Sequence, residues 1–268
     1  MKTKFYQKLK KECLEKESRL CIGLDVDYDL FPKSIPRSID GSYNFIKTIV
    51  DSTHEICASY KLNLGFFEQF GFKGYELMEK VVEYIGDKAI TIADGKRGDI
   101  GNSSKKYAQS IFNQIGFDSA TVSPYMGRDS ITPFTDDDKF GAFVLCLTSN
   151  SGSADLQKKL YNDKPVYFAV LDMLKDLKKD NIGIVVGATQ EDEMVKIRSE
   201  APNMPWLIPG IGKQGGNLEM SVKIGNKNGA IGIINVSRDI LYHNNSTEND
   251  IHFRTLFYHN QIKGFLNE

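Results

Sequence analysis

The chain has 268 residues, 41% of them hydrophobic and 26% charged, and carries a formal net charge of -1. That composition is ordinary for a soluble globular protein and long enough for one large core. Near-neutrality removes any bulk electrostatic drive toward nucleic acid or an anionic membrane, so an anionic ligand has to be gripped by a local site.

The N-terminus, Met1 to Leu20, reads as a charged amphipathic helix, with Phe5, Leu9 and Cys13 recurring every four residues. It has no apolar stretch of the signal-peptide kind, and no run in the chain approaches membrane-spanning length. Leu20-Cys-Ile-Gly-Leu-Asp25 is a short apolar strand ending in an acid, and Pro32 and Pro36 break the loop that follows. Tyr43 to Ile56 is helical, Ala58 to Asn63 is a second strand, and Tyr75 to Ile85 is a helix with Leu77, Val81 and Val82 on one stripe. The third strand starts at Ala89 and runs into the charges Asp94, Lys96, Arg97 and Asp99. Ser103 to Ile115 is helical. Strand four is Ser119 to Ser123, strand five Ala142 to Leu147, strand six Ile182 to Gly187, strand seven Trp206 to Ile208 and strand eight Ala230 to Asn235. Val166 to Leu177, a segment opened by Thr189, and Ile251 to Phe265 are the later helices.

Eight short, continuously apolar strands, mostly alternating with helices, predict a (β/α)₈ TIM barrel of one domain over residues 1–268, with the N-terminal helix as a cap. A doubly wound open sheet is the alternative. The four cysteines, Cys13, Cys21, Cys57 and Cys146, form no CxxC pair and no metal-ligand spacing, which reads as reduced thiols in the cytoplasm.

The polar residues sort by this frame. Asp94 and Lys96 are two apart, so on an extended chain they face the same side. Alone, this cluster could be a surface salt-bridge network. Yet Asp25, Lys61, Asp94, Lys96, Ser149, Gln214 and Arg238 all fall at or just after the C-terminal ends of strands, and in a barrel that rim is the catalytic face. Gly210-Ile-Gly212-Lys-Gln-Gly215 formally matches GxGxxG, but it comes late in the chain with no acid about 20 residues on, against a dinucleotide site. Following strand seven, it suits a barrel phosphate site, with Gln214 donating and Arg238 adding a charged grip from beyond strand eight. His54, His243, His252 and His259 lie away from strand ends and read as structural or surface residues, and Phe66, Phe67 and Phe70 as core.

Asp94-Gly-Lys-Arg-Gly-Asp-Ile-Gly-Asn-Ser-Ser104 resembles the signature of the orotidine 5′-phosphate decarboxylases, and its longer form with Tyr107 is similar to their bacterial subfamily with chains of this length. Similarity extends through Leu24-Asp25, Lys61-Leu-Asn63, Pro124-Tyr-Met-Gly127, Thr148-Ser-Asn150, Pro209-Gly-Ile-Gly with Gln214-Gly-Gly216, and Asn235-Val-Ser-Arg238. Ser151 and Ser103 are mild departures, where proline and threonine are common.

The resemblance implies a cofactor-free and metal-free homodimer that converts orotidine 5′-monophosphate to UMP and CO₂. It implies a catalytic array of Lys61, Asp94, Lys96 and Asp99, with Asp99 reaching into the partner's site beside Ile100 and Ser103. Asp25 would hold a ribose hydroxyl, Ser149 would contact the pyrimidine, and Gln214 and Arg238 the phosphate. Asn63, Pro209 and Gly215 complete the implied substrate-binding set. Two other readings stand beside it: a Mg²⁺-dependent phosphosugar enzyme of the same superfamily, and a catalytically dead barrel that senses a phosphorylated ligand. The first is disfavoured because such relatives carry an acid where this chain has Lys61, the second because the array is intact.

Overall fold

In the computed structural model, which describes residues 4–268, eight parallel strands close on themselves. They are β1 (Leu20–Gly23), β2 (Ser59–Asn63), β3 (Ile90–Arg97), β4 (Ser119–Val122), β5 (Gly141–Leu147), β6 (Ile182–Val186), β7 (Trp206–Ile208) and β8 (Gly232–Val236). Each pairs with its neighbours in sequence, and β1 pairs with both β2 and β8, through Cys21↔Ser59 and Cys21↔Asn235. That last pairing makes a barrel and removes the open-sheet alternative.

Strand alternation divides the apolar side chains into two layers. Cys21, Ile90, Ile92, Phe143, Val185, Leu207 and Ile233 fill the barrel interior. Leu20, Ile22, Ala93, Val144, Ile184, Ile208 and Ile234 face outward, under the surrounding helices. Those helices are α2 (Ile39–Thr53), α3 (Phe72–Ile85), α4 (Gly101–Gln109), α5 (Val166–Leu177), α6 (Glu191–Glu200), α7 (Leu218–Gly225) and α8 (Glu248–Asn267). None of the described helices is long and apolar enough to cross a membrane.

The expected N-terminal cap is present as α1 (Phe5–Glu15), shorter than the Met1–Leu20 read from sequence. Glu17 takes a left-handed backbone that ends the helix and turns the chain into β1; residues 1–3 of the expected helix lie outside the described residues. Phe5, Leu9 and Cys13 join the interior layer, so α1 closes the barrel floor. Gly141 makes this possible: a Cβ there would sit 2.2 Å from the Phe5 ring. Phe5 meets Phe143 edge-on at 6.0 Å, and burying a side chain of that size contributes roughly 1.5–3 kcal/mol.

Other boundaries differ for local reasons. The helix after β3 starts at Gly101 and finishes in a π turn, Ser110–Ile115, that Gly116 terminates at φ 94°. Thr189 does not open a helix; its hydroxyl donates to the Ser149 carbonyl at 2.8 Å, and α6 starts at Glu191. A small antiparallel pair, Leu160–Tyr161 with Lys164–Pro165, precedes α5. Its turn residues Asn162 and Asp163 have positive φ, a hairpin signal that the sequence reading passed over. Phe67 is fully buried, as expected, with Phe66 and Phe70 packed against the same core.

Candidate active site

A cavity of about 350 Å³ opens at the C-terminal ends of the strands. Leu145, Val185 and Leu207, from the interior layer, give it an apolar lining below. Its polar wall is built from strand ends. β2 supplies Lys61 and Asn63, β3 supplies Asp94 and Lys96, and Asp25 follows β1.

Asp94 is the hub. Lys61 Nζ donates to its Oδ2 at 2.9 Å and Lys96 Nζ to its Oδ1 at 2.7 Å. Asp25 Oδ1 lies 3.8 Å from Lys61 Nζ, so this buried ammonium stands between two carboxylates. Burial pushes the Asp94 carboxyl up, but the two ammonium groups outweigh it and hold it well below the usual carboxylate range. Burial pulls the Lys61 ammonium down, and Asp25 and Asp94 more than offset it, leaving its pKa above the ordinary lysine value. Asp94 and Lys61 are therefore both charged at neutral pH. Lys96, with its side chain 48% exposed, is the member that reaches into the open cavity.

The opposite wall belongs to three loops. Ser149, after β5, donates its hydroxyl to Gln214 Oε1 at 2.9 Å, tying the β5 loop to the β7 loop. Gly187 allows the close approach behind it, since a Cβ there would lie 2.5 Å from the Ser149 backbone. Pro209, Gly210, Ile211, Lys213 and Gln214 line the β7 side, and Arg238 the β8 side. Arg238 and Lys213 are exposed and have no ionic partner among the described residues. Two such cations beside a glycine-rich loop have the chemistry to hold an anion. Asp239 also lines the cavity, but Arg254, at 2.5 Å, and the Tyr258 hydroxyl take up its carboxylate. On the β1 side, the Tyr242 hydroxyl donates to the Asp25 carbonyl at 2.9 Å and accepts from Asp27 N at 2.8 Å, fixing the loop that carries Asp25.

Of the residues singled out in the sequence, Asp25, Lys61, Asn63, Asp94, Lys96, Ser149, Pro209, Gln214 and Arg238 meet in this one cavity. Gly215 is in the same β7 loop, at φ 75°, without lining the cavity. Asp99, Ile100 and Ser103 do not join it within this chain. Asp99 and Ser103 face a separate cleft with Arg97 and Tyr107, and Asp99 Oδ1 accepts from the Ile100 N–H at 2.7 Å. Ile100 is 56% exposed.

The sequence reading missed Thr121, buried on β4, which donates its hydroxyl to Asp94 Oδ1 at 2.9 Å. The period-two pattern Ser119, Thr121, Ser123 was the available signal. It also missed Asn235, on β8, and Lys213. Among the described residues no group of three or more His, Cys, Asp and Glu side chains is placed to hold a metal ion.

Known proteins share this sequence and this fold. Residues 18–249 match the model of the orotidine 5′-phosphate decarboxylase / HUMPS family. Orotidine 5′-phosphate decarboxylase of Dehalococcoides mccartyi strain CBDB1 is 43% identical over 251 residues, 91% of each chain. That of Christiangramia forsetii is 41% identical over 245 residues, 90% of each chain. The solved structure of Leishmania donovani OMP decarboxylase superposes with a TM-score of 0.87 at 32% identity, covering 99% of this chain and 100% of that one.

Proposed function

The chain belongs to the orotidine 5′-phosphate decarboxylase / HUMPS family, and from that membership we propose that it converts orotidine 5′-monophosphate to UMP and CO₂, the last step of pyrimidine nucleotide synthesis. The observation that carries the reading is the Asp94 carboxylate clamped between Lys61 and Lys96 above an apolar floor.

The chemistry follows from that clamp. When the bond to the carboxylate breaks, its electron pair stays on the pyrimidine carbon, which has no conventional electron sink. A fixed ammonium in a low-dielectric pocket stabilises such a charge as it forms. Lys96 is the ammonium with room to reach a ligand, and its Nζ can then give a proton to the same carbon. Lys61 does not need to touch the reacting carbon. Its task is to keep Asp94 ionised and in place, so that Lys96 is protonated and aimed. Arg238, Lys213 and Gln214 suit the phosphate, Asp25 a ribose hydroxyl and Ser149 the pyrimidine. Phosphate binding far from the reacting carbon can then supply energy for assembling the site.

Three further points belong to the same reading. The enzyme needs no metal between Asp25 and Asp94, because the buried Lys61 ammonium already occupies that space, and the family resemblance implies no organic cofactor. It works as a homodimer of barrels, each a single domain over residues 1–268. Each dimer site takes Asp99, Ile100 and Ser103 from the partner. The exposed apolar side chains Ile100, just before α4, Tyr107, on α4, and Tyr125 and Met126, in the loop after β4, suit such an interface. Its four buried, unpaired thiols suit the reducing cytoplasm.

The test is to follow pyrimidine absorbance after mixing the protein with orotidine 5′-monophosphate in EDTA. Turnover in EDTA is the expected result. Activity that is lost in EDTA and restored by Mg²⁺ would favour the phosphosugar enzyme, and binding without turnover would favour a ligand sensor.

A further inference from the structure

We propose that Thr121 is the positioning residue that holds Lys96 and Asp94 in reacting geometry, by replacing the strand ladder across a bulge in β3. The proposal rests on the reading of Asp94 and Lys96 as the reacting array, and it adds a residue to which no role has been given.

The bulge is visible in the register. Ala93 pairs with Ala120, and the next paired positions are Arg97 and Val122. Asp94, Gly95 and Lys96 therefore stand opposite Thr121 alone. A bulge of this kind re-aims side chains but strips the backbone of ladder partners. Lys96 lies at φ 45°, a left-handed conformation that a residue with a Cβ keeps only where its surroundings enforce it.

Thr121 does the enforcing with one hydroxyl. Its Oγ1 accepts from the Lys96 N–H at 2.9 Å and donates to Asp94 Oδ1 at 2.9 Å. The directions are forced by chemistry. A backbone N–H can only donate, and an ionised carboxylate can only accept, so the single hydroxyl proton has to go to Asp94. Lys96 Nζ donates to that same carboxylate oxygen at 2.7 Å. The contacts close a ring from the Lys96 backbone through Thr121 and Asp94 to the Lys96 ammonium. Thr121 is 1% exposed, so water cannot readily take over its part.

Thr121 lines the cavity beside Asp94 and Lys96, but the ring's hydrogen bonds stay within the charge array. The loops that suit phosphate and ribose lie beyond β1, β5, β7 and β8 and make no use of Thr121. Breaking the ring should loosen Lys96 without weakening ground-state binding. A role confined to stability would instead leave kcat alone in whatever fraction of the protein is folded.

The experiment compares Thr121→Val, which keeps shape and removes the hydroxyl, with Thr121→Ser, which keeps the hydroxyl, and with Lys96→Ala. For Thr121→Val, kcat should fall about 10- to 100-fold while the affinity for UMP, measured by titration, stays within about threefold of wild type. Thr121→Ser should retain kcat within about threefold of wild type. If Thr121→Val does not fold, Thr121→Cys takes its place, since a thiol keeps the volume but hydrogen-bonds weakly, and the same fall is expected. A hydroxyl-free or thiol variant with kcat within about threefold of wild type, beside an inactive Lys96→Ala, overturns the role of Thr121 and leaves the array reading intact. A Thr121→Ser protein as impaired as Thr121→Val also overturns it. A fully active Lys96→Ala would instead overturn the array reading on which the proposal rests.

Discussion

Lys96 reaches Asp94 with its ammonium 2.7 Å from Oδ1 although its own backbone has left the strand conformation, at φ 45°. On a flat strand two residues apart would stand parallel, side by side. The bulge tips Lys96 instead, so that its side chain lies along the cavity and converges on the carboxylate. One ammonium thus both neutralises Asp94 and faces the ligand space.

Lys96→Ala is therefore expected to abolish turnover while the barrel still folds. The side chain is 48% exposed, and Asp94, its ionic partner, keeps Lys61 and the Thr121 hydroxyl when Lys96 is truncated. Circular dichroism and thermal melting should stay near wild type. Activity within about tenfold of wild type, equivalent to roughly 1.4 kcal/mol of barrier, would sink the assignment.

The Asp94–Lys61 pair sets a pH expectation. Asp94 has a folded pKa below its unfolded one, so its stabilising contribution is complete above about pH 4 and is lost as pH falls through the folded value. Lys61 has a folded pKa above its unfolded one, so its contribution is complete below about pH 10 and is lost as pH rises through the folded value. Between those limits the pair is charged in both states and its contribution is flat. Asp94→Asn leaves Lys61 buried with only Asp25 for an ionic partner, and should cost on the order of 3–5 kcal/mol. The melting-temperature gap between wild type and this variant should be constant from pH 6 to 8 and narrow below about pH 4. A gap that changes between pH 6 and 8 would show that the array titrates near neutrality and refute the charged-pair account.

The legible and the illegible parts of this site divide on physical grounds. Asp25, Lys61, Asn63 and Asp94 were readable because each charged or amide side chain interrupts or ends an apolar run, and burial of such a group demands a reason; Arg238 was readable from its place just beyond strand eight. The fold was readable from eight such runs. Thr121 was not, because a threonine in a strand is unremarkable until the register places it opposite a bulge. The bulge depends on three residues of β3 facing one of β4, a relation between strands that neither segment carries alone. The left-handed backbone of Lys96 was hidden for the same reason, since nothing in Gly95-Lys96-Arg97 requires it locally. The N-terminal helix was overextended because no glycine or proline marks its end, and the left-handed turn falls on a glutamate, Glu17, that does not announce it.

Arg238 gives the third expectation. It is exposed at the cavity mouth and has no acidic partner among the described residues, so its charge is available to a ligand. Arg238→Ala should lower kcat/KM for orotidine 5′-monophosphate roughly 10- to 100-fold, in line with the ~1.5–3 kcal/mol of a charged hydrogen bond. The same substitution should leave the far slower turnover of orotidine, which lacks the phosphate, unchanged. Equal losses on both substrates would show that Arg238 acts on the barrel and not on the phosphate.

The last expectation concerns Asp99. Within one chain its carboxylate joins neither Lys61 nor Lys96, and among the described residues it accepts from the neighbouring Ile100 N–H. Gly98 separates it from β3, and it stands beyond the bulge that turns Lys96 onto Asp94. It stands outside its own cavity, among the exposed side chains of Ile100 and Tyr107. If it completes the site of a second barrel, a two-fold interface makes the exchange reciprocal. Lys96→Ala and Asp99→Ala should each be inactive alone. When their subunits exchange, a mixed dimer carries one site lacking both residues and one lacking neither. Random exchange makes about half the dimers mixed, each with one good site, so activity should climb toward about a quarter of wild type. Exchange can be verified independently by mass spectrometry of differently tagged subunits. No recovery after verified exchange, or full activity from a monomer, would mean that Asp99 serves its own subunit.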